Sequence, residues 1–381
     1  MFFGKPKMDE EERKRRAAEI GALMDADRTK EAYEKTLELE KLDKDAAGYY
    51  MSLFYFLGEC VGEDRKEALK RIEKYVRRVP DDSEGWLQYG YLLRLNGNET
   101  EAAKAFSKAS DRGNWSGTAS LAGSYKLLAD GFRNEAAGTL NVKAYGENNN
   151  QAVSLYIAAM ALYEKTAIEA PDALDDADWQ SFGRAADMMY AMSLNGEVKK
   201  INTKDPDEQN FLNLGLSVMS GKRDTAAQQL WRLQAARIYG RMEQAGYGAM
   251  AEYFRASMCL ADCGKKNQAM FVNAKWHMDR ARELSAGLNA DQKKSYPEDF
   301  ADVREEYGKM EKKYGKIMEN RLRAGEFPNL SEDYPQGQAP AVEACKSFMD
   351  FANGLRNGAP VQAAAAKEPE KKKKGLFGFF R

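Results

Sequence analysis

The residue types that could bind a metal ion are few and lie in the second half of the chain. Cys259 and Cys263 are four residues apart, and His277, the one histidine of the sequence, follows them. On a helix that spacing places both thiols on one face, where they could share a metal ion. Structural zinc requires four ligands, usually with two residues between paired cysteines, and no fourth ligand is evident. Small residues buried between packed helices are therefore the better interpretation of the cysteines, and we predict no metal site.

Catalysis needs placed acid, base or nucleophilic groups, and the sequence offers little of this kind. A single histidine on a helix is more often structural or exposed than catalytic. No phosphate-binding glycine-rich loop, HExxH helix or GxSxG elbow occurs in the sequence. We therefore predict a non-enzymatic protein without catalytic residues or a cofactor. An enzyme or metal protein built around Cys259, Cys263 and His277 is the least favoured alternative.

Composition restricts the class of protein further. The 381 residues carry a formal net charge of -1, which does not favour nucleic-acid binding. Alternating runs of Val, Ile and Thr are nearly absent, so we expect no sheet. No apolar run reaches the roughly 18 residues of a membrane span, and the N-terminus lacks the apolar core of a signal peptide. Four scattered cysteines favour thiols in a reducing compartment, and we expect a cytoplasmic protein.

The elements that must position any site are helices, and the clearest are in residues 83–109. Trp86, Tyr89, Gly90 and Leu93 are spaced three, one and three apart, which places them on one helical face. A second helix carries its own apolar face at spacings of four and three, formed by Ala102, Phe106 and Ala109. Asn96-Gly97-Asn98 between them is typical of a turn, because Gly97 can adopt positive φ after a helix. The pattern predicts a tight helical hairpin.

This hairpin resembles the tetratricopeptide repeat, W-x2-L-G-x2-Y followed by A-x3-F-x2-A. Five positions match outright, and Tyr89 and Leu93 stand where Leu and Tyr are usual. The matching residues are Trp86, Gly90, Ala102, Phe106 and Ala109.

Weaker versions of the same pattern occur elsewhere in the chain. Residues 46–80 predict another hairpin, and residues 104–125 resemble the related Sel-like repeat, with its turn at Gly113-Asn114. The pattern begins again at Trp179, but Asn195-Gly196 falls where the alanine of a second helix belongs. That repeat is degenerate, or its second helix is displaced. The second-best match starts at Phe211 and ends at Trp231.

Two further stretches complete the helical prediction. Residues 146–150, GENNN, read as a loop before a helix over 153–168 that Pro171 ends. Near the C-terminus, an apolar stripe at spacings of three and four predicts an amphipathic helix that caps the array or, alternatively, pairs with another chain. Its members are Phe300, Val303, Tyr307, Met310, Tyr314 and Ile317.

The resemblance implies an all-α fold, an α-α superhelical solenoid of tetratricopeptide and Sel-like hairpins. We predict a charged N-terminal segment at 1–18, the repeat array at 19–290, C-terminal capping helices at 291–356, and a flexible basic and aromatic tail at 357–381.

In this family the first helices of successive repeats line a concave groove that binds a peptide or a helix of a partner protein. The resemblance therefore implies a protein partner, with Leu87 and Tyr91 making the groove more apolar than one that clamps a chaperone's C-terminus. The alternative is that neighbouring helices cover some of the implied groove residues. These are Glu84, Leu87, Tyr91, Arg94 and Leu95 in the best repeat, and Leu212, Leu216 and Met219 in the later one.

The C-terminal tail combines cations with apolar side chains. Such a segment could bind an anionic membrane surface weakly and reversibly, dock in a protein pocket, or remain solvated. We keep all three interpretations; the first makes the protein a peripheral membrane adaptor. The residues concerned are Lys371, Lys372, Lys373, Lys374, Leu376, Phe377, Phe379 and Phe380.

Overall fold

The computed structural model describes residues 8–197, 223–264 and 270–324. Every regular element within these ranges is helical, and they contain no strand, which confirms the predicted all-α class. The described residues fall into two compact units, one that ends at Ser124 and one that begins at Tyr125. The groove and tail residues outside these ranges remain predictions, and so do the predicted domain boundaries.

The first unit consists of consecutive helices, and from α1 to α6 each packs against the next. Side chains at the starts of the helices explain several boundaries: Asp64, for example, accepts hydrogen bonds from the backbone N–H groups of Lys66 and Glu67 at 3.0 Å each. The helices are α1 (Glu10–Asp25), α2 (Thr29–Leu42), α3 (Gly48–Leu57), α4 (Arg65–Arg78), α5 (Ser83–Leu95), α6 (Glu99–Ser110) and α7 (Trp115–Gly138), which continues into the second unit.

The predicted hairpin is confirmed as α5 and α6, joined by a turn in which Gly97 has a φ of 76°. Ala102, Phe106 and Ala109 are fully buried. A Cβ at Gly90 would overlap the ring of Phe106, so the absence of a side chain there lets α6 approach α5 closely.

The predicted turn at Gly113-Asn114 is also confirmed. Gly113 has a φ of 79°, and the side chain of Asn114 accepts a hydrogen bond from the Gly117 N–H at 2.8 Å, which starts α7. Gly117 itself lies against Ala109, where a Cβ would come within 2.6 Å of the alanine Cβ. The turn and this close approach bring α7 onto the end of α6.

The second unit starts within α7 and pairs helices that are distant in sequence. α9 packs against α8, α10 and α11, and the last helix packs against α11 and α12. Its remaining helices are α8 (Val142–Glu169), α9 (Asp176–Leu194), α10 (Arg223–Gln244), α11 (Gly248–Gly264), α12 (Met270–Ser285), α13 (Ala290–Asp299) and α14 (Ala301–Arg323), with a 3₁₀ turn at Pro171–Ala173. No helix among the described residues has both the length and the apolar character to cross a bilayer.

Residues 146–150 are helical, and the prediction of a loop there is wrong. They lie in the first part of α8. Asn149 is buried, and its side-chain oxygen accepts a hydrogen bond from the Arg133 guanidinium at 2.8 Å. Asn149 thus contacts a neighbouring helix, and the stretch continues into the buried face of α8, so tertiary packing overrides the low helix propensity of the asparagines.

The predicted C-terminal amphipathic helix corresponds to α14. Phe300, just before α14, and Val303 and Tyr307 within it are buried, and the ring of Tyr307 stacks on Phe271 of α12 at a centroid distance of 5.3 Å. Ile317, at the other end of the stripe, is exposed. The first half of the stripe therefore packs against α11 and α12.

Candidate functional site

The expected groove residues of the best repeat lie along α5. This helix begins after Asp82, whose carboxylate accepts a hydrogen bond from the Glu84 backbone N–H at 3.1 Å. Helical spacing brings positions 84, 87, 91 and 94 to one side of the helix. Their side chains thus form a continuous stripe, as the resemblance implied.

Helix α7 contacts the C-terminal half of this stripe. The Tyr91 hydroxyl lies 2.9 Å from the Ser120 hydroxyl. Arg94 donates to the Ser120 carbonyl oxygen at 2.8 Å and to the Ser124 hydroxyl at 2.9 Å, and its guanidinium lies 4.7 Å from the ring centroid of Phe106. Tyr91 and Arg94 therefore couple the best repeat to the helix that follows it.

The rest of the stripe differs in exposure. Glu84 accepts a hydrogen bond from the Asn114 side chain at 3.0 Å, and Leu87 is buried. Leu95, in the last turn of α5, is 48% exposed. The Tyr91 hydroxyl is taken up by α7 and Leu87 is buried, whereas a partner could contact Leu95 directly. The second implied set, Leu212, Leu216 and Met219, lies outside the described residues, as do the tail residues from Lys371 to Phe380.

His277 and the two cysteines belong to the interior of the second unit. Cys259 and Cys263 are buried in α11, which confirms the prediction that they lie between packed helices. His277 is fully buried, and its Nδ1 lies 2.6 Å from a carboxylate oxygen of Glu252. The other oxygen of Glu252 accepts from Arg255 at 2.7 Å. Within the described ranges, no cluster of three or more His, Cys, Asp or Glu side chains could hold a metal ion.

A polar cluster that the sequence did not indicate joins α9, α10 and α11. Asp187 of α9 accepts a hydrogen bond from the Ser257 hydroxyl of α11 at 3.0 Å. Burial raises the pKa of Asp187 to about 6, although the positive charge of Arg184 acts in the opposite direction. The hydroxyl of the fully buried Tyr239 of α10 has no hydrogen-bond partner among the described residues. Burial, reinforced by the charge of Asp187, raises the pKa of this group well above its usual value.

The same face of α9 carries a second polar contact. Tyr190 donates to the carboxylate of Asp262, which also pairs with Arg232. Asp187 and Tyr190 follow Gly183 at spacings of four and three, and Gly183 lies against the ring of Phe254. Gly183 was the one feature of the sequence that could have indicated this polar cluster, because a glycine within a helix marks a face that another helix approaches closely. These contacts connect α9 to α10 and α11.

No family model matches the chain, and a search of curated proteins finds no match.

Proposed function

We propose that the chain is a non-enzymatic scaffold, a solenoid of tetratricopeptide and Sel-like hairpins that binds a peptide or a helical segment of a partner protein. The observation that carries the proposal is the packing of α5 and α6. Phe106 fills the space over Gly90, and the small residues Ala102 and Ala109 are buried at the positions that the repeat pattern requires.

The coupling of α5 to α7 supports stacking beyond one hairpin. In a repeat array each unit buries its remaining apolar face against the next unit. Tyr91 and Arg94 make such a contact through Ser120 and Ser124. These residues therefore serve the array itself, and the binding surface begins where α7 leaves α5 uncovered.

We place the partner's contact in the first unit at Leu95, the most exposed of the described residues expected in the groove. Arg94, the adjacent residue, is partly exposed. An exposed leucine beside a charged group suits the apolar anchor of a peptide with a polar rim. Leu212, Leu216 and Met219 remain the proposed contacts of the later repeat.

Binding is favoured over catalysis by the way the charged groups are used. Glu252 has two close partners, His277 and Arg255, and Arg237 and Arg241 pair with Glu164 on α8. Burying such charges is tolerated when they are paired. These paired charged side chains therefore link helices to one another.

Selection of short peptides from a displayed library with the purified protein tests the proposal. We expect a selected peptide whose dissociation constant rises at least about tenfold in Leu95→Asp, because truncating or charging an interface anchor removes its burial. Leu42→Asp is the matched control, since Leu42 is also a C-terminal leucine of a helix and is 55% exposed. Failure to select any peptide, or equal affinities for the two variants and the wild type, would contradict the proposed site.

The alternative function is that of a peripheral membrane adaptor anchored by the tail. It is favoured by the sequence KKKKGLFGFFR, in which four cations precede four large apolar side chains. For either function we propose a cytoplasmic location, which is supported by the small number and wide scatter of the cysteines in the sequence.

A further inference from the structure

The turn between α7 and α8 displays two apolar side chains that the fold does not use. Leu140 is 102% exposed and Val142 is 85% exposed, the highest values among the large hydrophobic residues of the described chain. Single exposed leucines are common on protein surfaces and need no explanation. Leu140 and Val142, however, are separated by a single residue, so two highly exposed apolar side chains protrude into water at one place. Such a pair is less easily explained than a single exposed leucine.

Polar groups hold this turn in shape. The Asn141 side-chain oxygen accepts from the backbone N–H groups of Lys143 at 3.0 Å and Ala144 at 3.2 Å, which caps α8. The Asn141 N–H donates to the Thr139 hydroxyl at 3.2 Å. These polar contacts hold the turn without the side chains of Leu140 and Val142. The contacts therefore give no reason, in folding, for these two side chains to be apolar.

The exposure and charge of the turn indicate what covers it. Both side chains are almost fully exposed, whereas the walls of a concave groove that encloses a peptide shield the residues lining it. The next residue, Lys143, has a side chain that is 84% exposed and only a distant ionic contact, 3.8 Å to Glu147. Two apolar side chains followed by an exposed cation fit the interface of a bilayer, where apolar groups reach the acyl chains and the ammonium stays with the headgroups.

We propose that the turn inserts Leu140 and Val142 into an anionic lipid bilayer while Lys143 contacts the headgroups. This interaction surface goes beyond peptide binding and does not require the C-terminal tail to bind lipid. A single small apolar element gives weak, reversible membrane binding. The basic and apolar sequence at 371–380 is a second element of the same chemistry in this chain, which is the reason that we commit to a membrane as the partner.

Partitioning of the full-length protein onto vesicles of phosphatidylcholine and phosphatidylserine tests the proposal. We expect the double variant Leu140→Ser with Val142→Ser to partition about ten to one hundred times more weakly than the wild type, since two apolar side chains lose their burial. Ile168→Ser is the matched control in α8, 56% exposed, and should partition like the wild type. Thermal unfolding should be the same for all three proteins, because these side chains are exposed.

A second measurement locates the turn in the bilayer. In full-length Leu140→Trp, vesicles with brominated acyl chains should quench fluorescence beyond the quenching of the wild type, whereas Ile168→Trp should show no such excess. The proposal is overturned if the wild type does not bind these vesicles, if the double serine variant partitions like the wild type, or if Leu140→Trp shows no excess quenching. Equal partitioning would instead make the turn a candidate contact for a protein.

Discussion

At the residue scale, Asp187 is the clearest case of a side chain whose pKa is set by its surroundings. Its carboxylate lies among helices α9 to α11, with the Ser257 hydroxyl as a hydrogen-bond donor. Burial disfavours the ionised form more than the donor and the nearby Arg184 favour it, so the pKa rises from 3.8 to about 6. The folded protein therefore binds a proton at Asp187 more tightly than the unfolded chain does.

This difference predicts a pH dependence of stability with a defined sign. The contribution of Asp187 favours folding below about pH 4 and is lost as the pH rises through about 6. Asp187→Asn keeps an acceptor for Ser257 without the charge, so its free energy of unfolding should exceed that of the wild type by about 1 to 3 kcal/mol above pH 7 and approach it near pH 4. Urea unfolding at a series of pH values measures this.

The control for the Asp187 prediction is Asp172→Asn, at an exposed position of the same unit. Its stability difference from the wild type should stay small and unchanged between pH 4 and 7, since exposed carboxylates contribute little. If the profile of Asp187→Asn ran parallel to that of the wild type, the carboxylate would be better solvated than its contacts indicate.

At the scale of elements, helix pairs in both units pack an aromatic ring over a glycine. Phe106 covers Gly90 within the α5–α6 hairpin, and Phe254 of α11 covers Gly183 of α9. In the first unit the ring follows the glycine on the very next helix. In the second unit the ring belongs to a helix far along the chain.

Adding one methyl group at such a position should separate the helices. Gly90→Ala places a Cβ against the Phe106 ring, so we expect a loss of about 1 to 3 kcal/mol in the free energy of unfolding, despite the better helix propensity of alanine. Gly131→Ala in α7 has open space around its Cβ and should gain about 0.5 to 1 kcal/mol. Urea unfolding followed by helical circular dichroism compares them, and stabilisation by both substitutions would show that α6 adjusts without cost.

At the scale of the whole molecule, the proposed functions divide between surfaces that differ in chemistry. The proposed peptide contact at Leu95 belongs to the first unit, and the exposed turn at Leu140 and Val142 belongs to the second. Neither surface uses the buried charged groups, which join helices. The two proposed contacts share no residue, so each can be tested by substitutions that leave the other unchanged.

The adaptor alternative makes a prediction for the intact chain. Deleting residues 371–381 should lower partitioning onto anionic vesicles and weaken its dependence on salt, since each lysine near such a surface contributes about 1 kcal/mol. Co-sedimentation at low and high ionic strength measures both effects. Neutral phosphatidylcholine vesicles are the control, on which deletion should matter less. Unchanged partitioning after deletion would remove the adaptor function while leaving the turn at Leu140 to its own test.

The sequence by itself determined those features that depend on neighbours three or four residues away. Helical spacing and turn residues were enough to predict the α5–α6 hairpin, the turn at Gly113, and the all-α class of the described chain. They were also enough to predict that Cys259 and Cys263 lie between helices. Such features are local, because a helical face and a turn are specified by residues close together in the chain.

Only the tertiary structure decided which faces are covered and by what. α7 closes over Tyr91, Arg133 holds Asn149 in a helix where a loop was predicted, and Phe254 reaches Gly183 from 71 positions away. The raised pKa of Asp187 likewise requires helices that are distant in sequence. Periodicity shows that a helix has an apolar face, but its covering partner is selected by packing among many alternatives, and that choice is not local.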